Sequence, residues 1–62
     1  MNNLVTIAVD AMGGDGSPEK VIDGILDHHS KSKNVKYLIF GDKFKIEKLL
    51  PNPYTPHVFQ IF

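Results

Sequence analysis

The stretch Val9-Asp10-Ala11-Met12-Gly13-Gly14-Asp15-Gly16-Ser17-Pro18-Glu19 leaves a chain this small few choices of fold. The residues before it, 4–9, form an almost continuous apolar run rich in β-branched side chains, closed by Asp10 and two glycines. Such a run is too short for a helix and reads as a strand buried on both faces, as in a parallel sheet. Gly13, Gly14 and Gly16 permit φ > 0 and close approach of the backbone to a ligand. Ser17 then suits the N-cap of a helix, and Pro18 its first position, where a missing N–H costs nothing. A turn of this kind points several free backbone N–H groups at one spot, with the positive end of a helix dipole behind them. It is a candidate seat for phosphate or carboxylate that needs no basic side chain.

From Pro18 onward Val21, Ile22, Ile25 and Leu26 return at helical spacing, with Glu19, Lys20, Asp23 and Asp27 on the other side. This predicts an amphipathic helix with one face for a sheet, weakened at Gly24 by up to ~1 kcal/mol relative to Ala. The helix is expected to fray over 28–30, and 31–34 to form a loop. Residues 35–40 read as a second strand stopped by Gly41. Asp42 is placed to cap a second helix over 43–50, with Phe44, Ile46, Leu49 and Leu50 on its apolar side and Pro51 as its end. Three prolines make 51–56 a stiff extended loop, and 57–62 resume strand character with His57 as the strand's first residue.

The predicted order is β-α-β-α-β, an α/β unit which with right-handed crossovers gives a three-stranded parallel sheet. Two short helices cannot cover both faces of a sheet whose strands are apolar on both. Residues 1–62 are therefore expected to be a single partial domain, the first third or less of a larger α/β protein.

Composition excludes several classes. A chain of 62 residues buries only about 60% of the surface its unfolded form exposes. With no cysteine, neither a disulfide framework nor a thiolate metal site can add to that. Seven lysines balance seven acids and there is no arginine, which argues against a nucleic-acid binder that neutralises phosphates. No stretch approaches the roughly 18 to 20 apolar residues of a membrane span. The N-terminus lacks the basic region of a signal peptide, so a cytoplasmic location is expected. His28-His29 near a helix end would present two imidazoles to different faces, so solvated or helix-end roles are expected rather than a metal site. Neither a metal nor a cofactor is expected.

The glycine turn fails the usual phosphate-loop patterns. No lysine follows the glycines at the place that G-x-x-x-x-G-K-[ST] requires. Gly14-Asp15-Gly16-Ser17-Pro18-Glu19 meets only the first two glycines of G-x-G-x-x-G. Asp42, at the end of the second strand, stands where a dinucleotide fold holds its ribose ligand, at a longer interval than the usual ~20 residues. A dinucleotide-binding module is thus an alternative reading.

At Ile7-Ala8-Val9-Asp10-Ala11-Met12-Gly13-Gly14-Asp15, followed by Gly16-Ser17-Pro18, the sequence resembles the opening of the bacterial phosphate acyltransferases of phospholipid synthesis, the PlsX family. The strand end Tyr37-Leu38-Ile39-Phe40-Gly41-Asp42 and the strand over 57–62 also fall where that family places them. The resemblance covers nearly the whole chain but only the N-terminal fraction of the family's usual length. One position departs from it: most members carry His or another bulky residue where this chain has Gly16.

The resemblance implies transfer of a fatty acyl group from acyl-carrier protein to inorganic phosphate, giving acyl phosphate. It also implies a larger three-layer α/β/α fold, of which this chain is the N-terminal part, and a homodimer that associates peripherally with the inner membrane. Carried onto this sequence, the phosphate and substrate site falls on Asp10, Gly13, Gly14, Asp15, Gly16 and Ser17, with Asp10 and Asp15 fixing the loop or accepting a proton from hydrogen phosphate. Catalytic residues are not identifiable in the chain. A truncated, non-catalytic remnant of the enzyme is the other reading. Lys31, Lys33, Lys36, Lys43, Lys45 and Lys48 would serve an acidic carrier protein, anionic lipid or simply a solvated surface.

Overall fold

The computed structural model describes residues 4–51 and 53–62. The chain runs β1 (Val5–Asp10), α1 (Glu19–Lys31), β2 (Val35–Phe40), α2 (Lys43–Leu49) and β3 (Phe59–Ile61). The strands form one parallel sheet in the order β1-β2-β3. β1 and β2 are in register from Val5 opposite Val35 to Asp10 opposite Phe40. The α/β unit is therefore the one the hydrophobic pattern predicts.

Alternation along β2 sets the layers. Val35, Tyr37 and Ile39 are buried on one face, and Ile22 and Ile25 of α1, Ile46 of α2, Leu50 and Phe59 pack with them into the core. Both helices lie on this face and touch each other. The other face is open: Phe40 is 43% and Phe62 58% exposed, and their rings stack with centroids 5.0 Å apart. This corrects the expectation that β1 is buried on both faces, since only Ile7 and Val9 are half-buried while Thr6, Ala8 and Asp10 are exposed. The cause is topological. With both crossover helices on the same side, apolar residues at even positions have no layer to meet.

Two boundaries shift for local reasons. α1 holds through His28-His29-Ser30 to Lys31 instead of fraying. There the Ser30 hydroxyl donates to Asp27 O at 2.7 Å, Lys31 Nζ to Asp27 Oδ2 at 3.2 Å, and Ser32 N–H to His28 O. The imidazoles also do not diverge to separate environments: both meet the Tyr37 ring edge-on, and His29 also meets Phe59. β3 is shorter than expected, because Val58 and Phe59 both donate their N–H to Thr55 O. That turn carries His57, which is exposed and precedes the strand. Asn52 of the proline loop lies outside the described residues.

Candidate functional site

The C-terminal ends of β1 and β2 bring the two βα connections side by side. Ala11 N–H donates to Phe40 O at 2.9 Å, carrying the β1–β2 pairing one residue past the strand. Gly41 then passes so close to Met12 that a Cβ on it would lie 2.7 Å from Met12 Cγ. In open α/β sheets this edge is where ligands bind.

Within the turn, Asp10 is the anchor. Its Oδ1 accepts the Met12 N–H at 3.0 Å, and its Oδ2 would lie 3.2 Å from a Cβ at Gly13. Positive φ occurs at Gly14 (100°) and Gly16 (80°) and not at Gly13, whose role is close approach. Ser17 is not the N-cap expected from its position. Its hydroxyl reaches back across the turn to Gly13 O at 2.9 Å, and the cap position falls on Pro18, with no side-chain hydrogen bond. The helix begins instead through Lys20 N–H to Gly16 O and Ile22 N–H to Pro18 O, both 2.9 Å. Asp15 is exposed, and its carboxylate has no hydrogen-bond partner among the described residues.

The consequence for binding lies in what these bonds omit. Among the described residues, no acceptor takes the backbone N–H of Gly13, Gly14, Asp15, Gly16 or Ser17. Five consecutive amides are left for solvent or an anion at the N-terminal side of a 13-residue helix. Of the six candidate site residues, Ser17 also lines a cleft of about 280 Å³, with Pro18, Glu19, Lys45, Lys48 and Leu49. Lys45 and Lys48 of α2 thus stand beside the turn, a placement not expected for them from the sequence. The signal was present in their i,i+3 spacing, which puts both on one face of a short helix.

A second cleft, of about 450 Å³, lies on the outer side of α2 and is lined by Phe44, Glu47, Lys48, Leu50 and Tyr54. Tyr54 donates its hydroxyl proton to Glu47 Oε2 at 3.0 Å. That bond, with partial burial and the Glu47 charge, raises the phenol above its ordinary pKa. Asp42 is occupied in capping α2, accepting the Lys45 N–H at 3.2 Å. No group of three or more His, Asp or Glu side chains that would hold a metal ion occurs among the described residues. No helix is long and apolar enough to cross a membrane.

A parallel β-α-β-α-β unit with an open glycine turn at the strands' C-terminal edge defines an α/β protein segment with a run of exposed backbone amides. The match to known proteins extends across the same elements: residues 5–60 fit the family described as fatty acid synthesis protein, and the chain belongs to that family. It is 54% identical over 50 residues to the phosphate acyltransferase of Pelagibacter ubique, covering 81% of this chain and 15% of that protein. Over 50 residues it is 48% identical to the phosphate acyltransferase of Paramagnetospirillum magneticum, covering 81% of this chain and 14% of the relative. The corresponding protein of Lactobacillus helveticus is 45% identical over 47 residues, covering 76% and 14%. The chain thus spans about 15% of the length of the curated relatives it matches.

Proposed function

We propose that this segment supplies the phosphate seat of a phosphate acyltransferase, which moves a fatty acyl group from acyl-carrier protein to inorganic phosphate. A phosphate oxygen attacks the thioester carbonyl, the C–O bond forms, and the C–S bond breaks. The thiolate leaves with the proton that hydrogen phosphate gives up. Such a site must hold phosphate and also stabilise a developing oxyanion. The share of this chain is the first task.

The observation that carries the reading is the run of unpartnered amides from Gly13 to Ser17 in a family whose relatives are phosphate acyltransferases. Asp10 fits the role of loop anchor through Met12 N–H, which leaves its charge partly neutralised toward the seat. β1 is an edge strand, so a sheet extended on its free side would put the turn at a reversal of strand order, where α/β folds hold ligands. The remaining donors, and any general base, belong in this reading to the rest of the enzyme. Homodimer formation and peripheral association with the inner membrane belong to that whole enzyme as well.

Two measurements test the proposal. Titrating the ¹⁵N-labelled chain with inorganic phosphate should move the amide resonances of Gly13 to Ser17 and leave those of β3 in place. Exchanging residues 5–60 of this chain for the matching segment of a full-length relative should give an enzyme that forms acyl phosphate. Silent amides at millimolar phosphate together with an inactive, folded exchange enzyme would overturn it. The remnant reading is separated by the same enzyme: activity there with none in the isolated chain means that the segment is competent and incomplete.

A further inference from the structure

We propose that the outer face of α2 is a docking surface for an acidic protein helix, that of the carrier which delivers the acyl thioester. This rests on the acyl-transfer reading above and adds to it the place where the second substrate lands. The chain as a whole is neutral, yet α2 holds three lysines and one glutamate in seven residues. None of these lysines forms an ion pair among the described residues, where the one salt bridge joins Lys31 to Asp27. In their midst Phe44 is 79% exposed, more than any other large apolar side chain described. An exposed aromatic ring on a helix that carries three lysines outside ion pairs, one of them in the same cleft, combines an apolar anchor with electrostatic steering.

Shape and position select the occupant. Beside Phe44 the 450 Å³ cleft is concave, floored by Leu50 and the Tyr54 ring, and able to take an apolar side chain from a partner. It also contains the Glu47 carboxylate, which the Tyr54 hydroxyl holds in place. A helix of seven residues, about 10 Å long, is too short to lie in a bilayer interface as a cationic amphipathic anchor. A lipid surface therefore fits less well than an acidic helix bearing an apolar side chain. Lys48 lines both this cleft and the one at Ser17 and Pro18. A carrier seated on α2 is thus placed beside Ser17, the last residue of the glycine turn.

The test is a titration of the ¹⁵N-labelled chain with unlabelled acyl-carrier protein, run beside inorganic phosphate and vesicles of phosphatidylglycerol and phosphatidylcholine. The expected result is carrier-induced shifts over Lys43 to Lys48 and at Tyr54, weakening steeply with added salt. Phe44→Ala and the double charge reversal K45E/K48E should each weaken carrier binding about tenfold or more. Since these positions are exposed, the variants should unfold at the parental denaturant concentration, which separates lost contact from lost fold. Carrier binding unaffected by either variant, or vesicle binding without carrier binding, overturns the proposal. Phosphate shifts at Gly13 to Ser17 without any carrier response overturn the docking surface alone. Carrier binding without a phosphate response sustains it while removing the seat.

Discussion

Asp10 Oδ1 accepts the backbone N–H of Met12 at 3.0 Å, so the carboxylate at the end of β1 ties down the first residues of the turn that follows it. An amide side chain offers the same acceptor without the charge. Asp10→Asn should therefore preserve the turn and bind phosphate more tightly, because a negative charge beside the seat is gone. Asp10→Ala removes the acceptor and should cost about 0.5–1.5 kcal/mol of stability. Urea unfolding and phosphate titration of the two variants check both statements. Weaker phosphate binding in the Asn variant would contradict a purely anchoring role.

Gly14 and Gly16 differ in what a side chain would meet, and this separates backbone strain from crowding. At Gly14 (φ 100°) nothing lies within 4 Å of a Cβ, so Gly14→Ala should cost the left-handed penalty alone, about 1–2 kcal/mol. At Gly16 (φ 80°) a Cβ also lies 2.8 Å from Lys20 Cδ. Because that stem is flexible, Gly16→Ala should cost only slightly more, and adding Lys20→Ala should bring it back to the Gly14 value. Denaturant midpoints of the three variants measure this. The turn as built here uses, at Gly16, a conformation that bulky side chains rarely adopt.

The order of elements and the parallel sheet were legible because short continuous apolar runs closed by Asp or Gly alternate with period-3.6 apolar patterns from Val5 to Leu49. Asp42 as a cap was legible too, since it stands between a strand closed by Gly41 and the first residue of a helix, and its carboxylate accepts the Lys45 N–H. Ser17 was not. Its identity allows either a forward cap or a backward bond, and the bond to Gly13 O depends on a loop path set by positive φ at Gly14 and Gly16. The open face of the sheet was misjudged at β1, where an apolar run states what could be buried and not what covers it. Lys45 and Lys48 escaped notice as part of a cleft because their neighbours there, Ser17 to Glu19, are more than 25 residues away in sequence and meet them only through packing of α1 on α2.

Gly41 and Met12 form a coupled pair. A methyl group at Gly41 would lie 2.7 Å from Met12 Cγ, 3.0 Å from Met12 Sδ and 3.1 Å from Ile46 Cδ1. Gly41→Ala should destabilise by about 1–3 kcal/mol through overpacking. Met12 is 41% exposed, so Met12→Ala alone should cost little. In the double variant the smaller residue vacates the space that the new methyl needs, leaving only the contact with buried Ile46. A double-mutant cycle by urea unfolding should give a favourable coupling of about 0.5–3 kcal/mol. Additive effects would mean that the two βα connections do not touch in solution.

Tyr37 sets the alkaline limit of stability. It is 2% exposed, stacked on Phe59 with centroids 5.6 Å apart and planes 13° from parallel, and it faces the edges of His28 and His29. Its hydroxyl lies 2.6 Å from His28 Nδ1, a hydrogen bond whose donor is set by the imidazole tautomer. Burial disfavours the phenolate and raises this phenol above its ordinary value of about 10. The folded chain therefore keeps the proton more tightly than the unfolded one. The stabilisation is fully present below the unfolded value and is lost as pH rises from there through the higher folded value. Unfolding midpoints in urea should stay flat from neutrality to about pH 9 and then fall as the phenolate absorbance rises. Tyr37→Phe is the control: it removes the phenol while keeping the stack on Phe59, and its alkaline fall should be shallower. His28 is exposed and can turn to water when its partner is lost, so the variant should remain folded at neutral pH. An identical alkaline decline in both proteins would place the loss outside Tyr37.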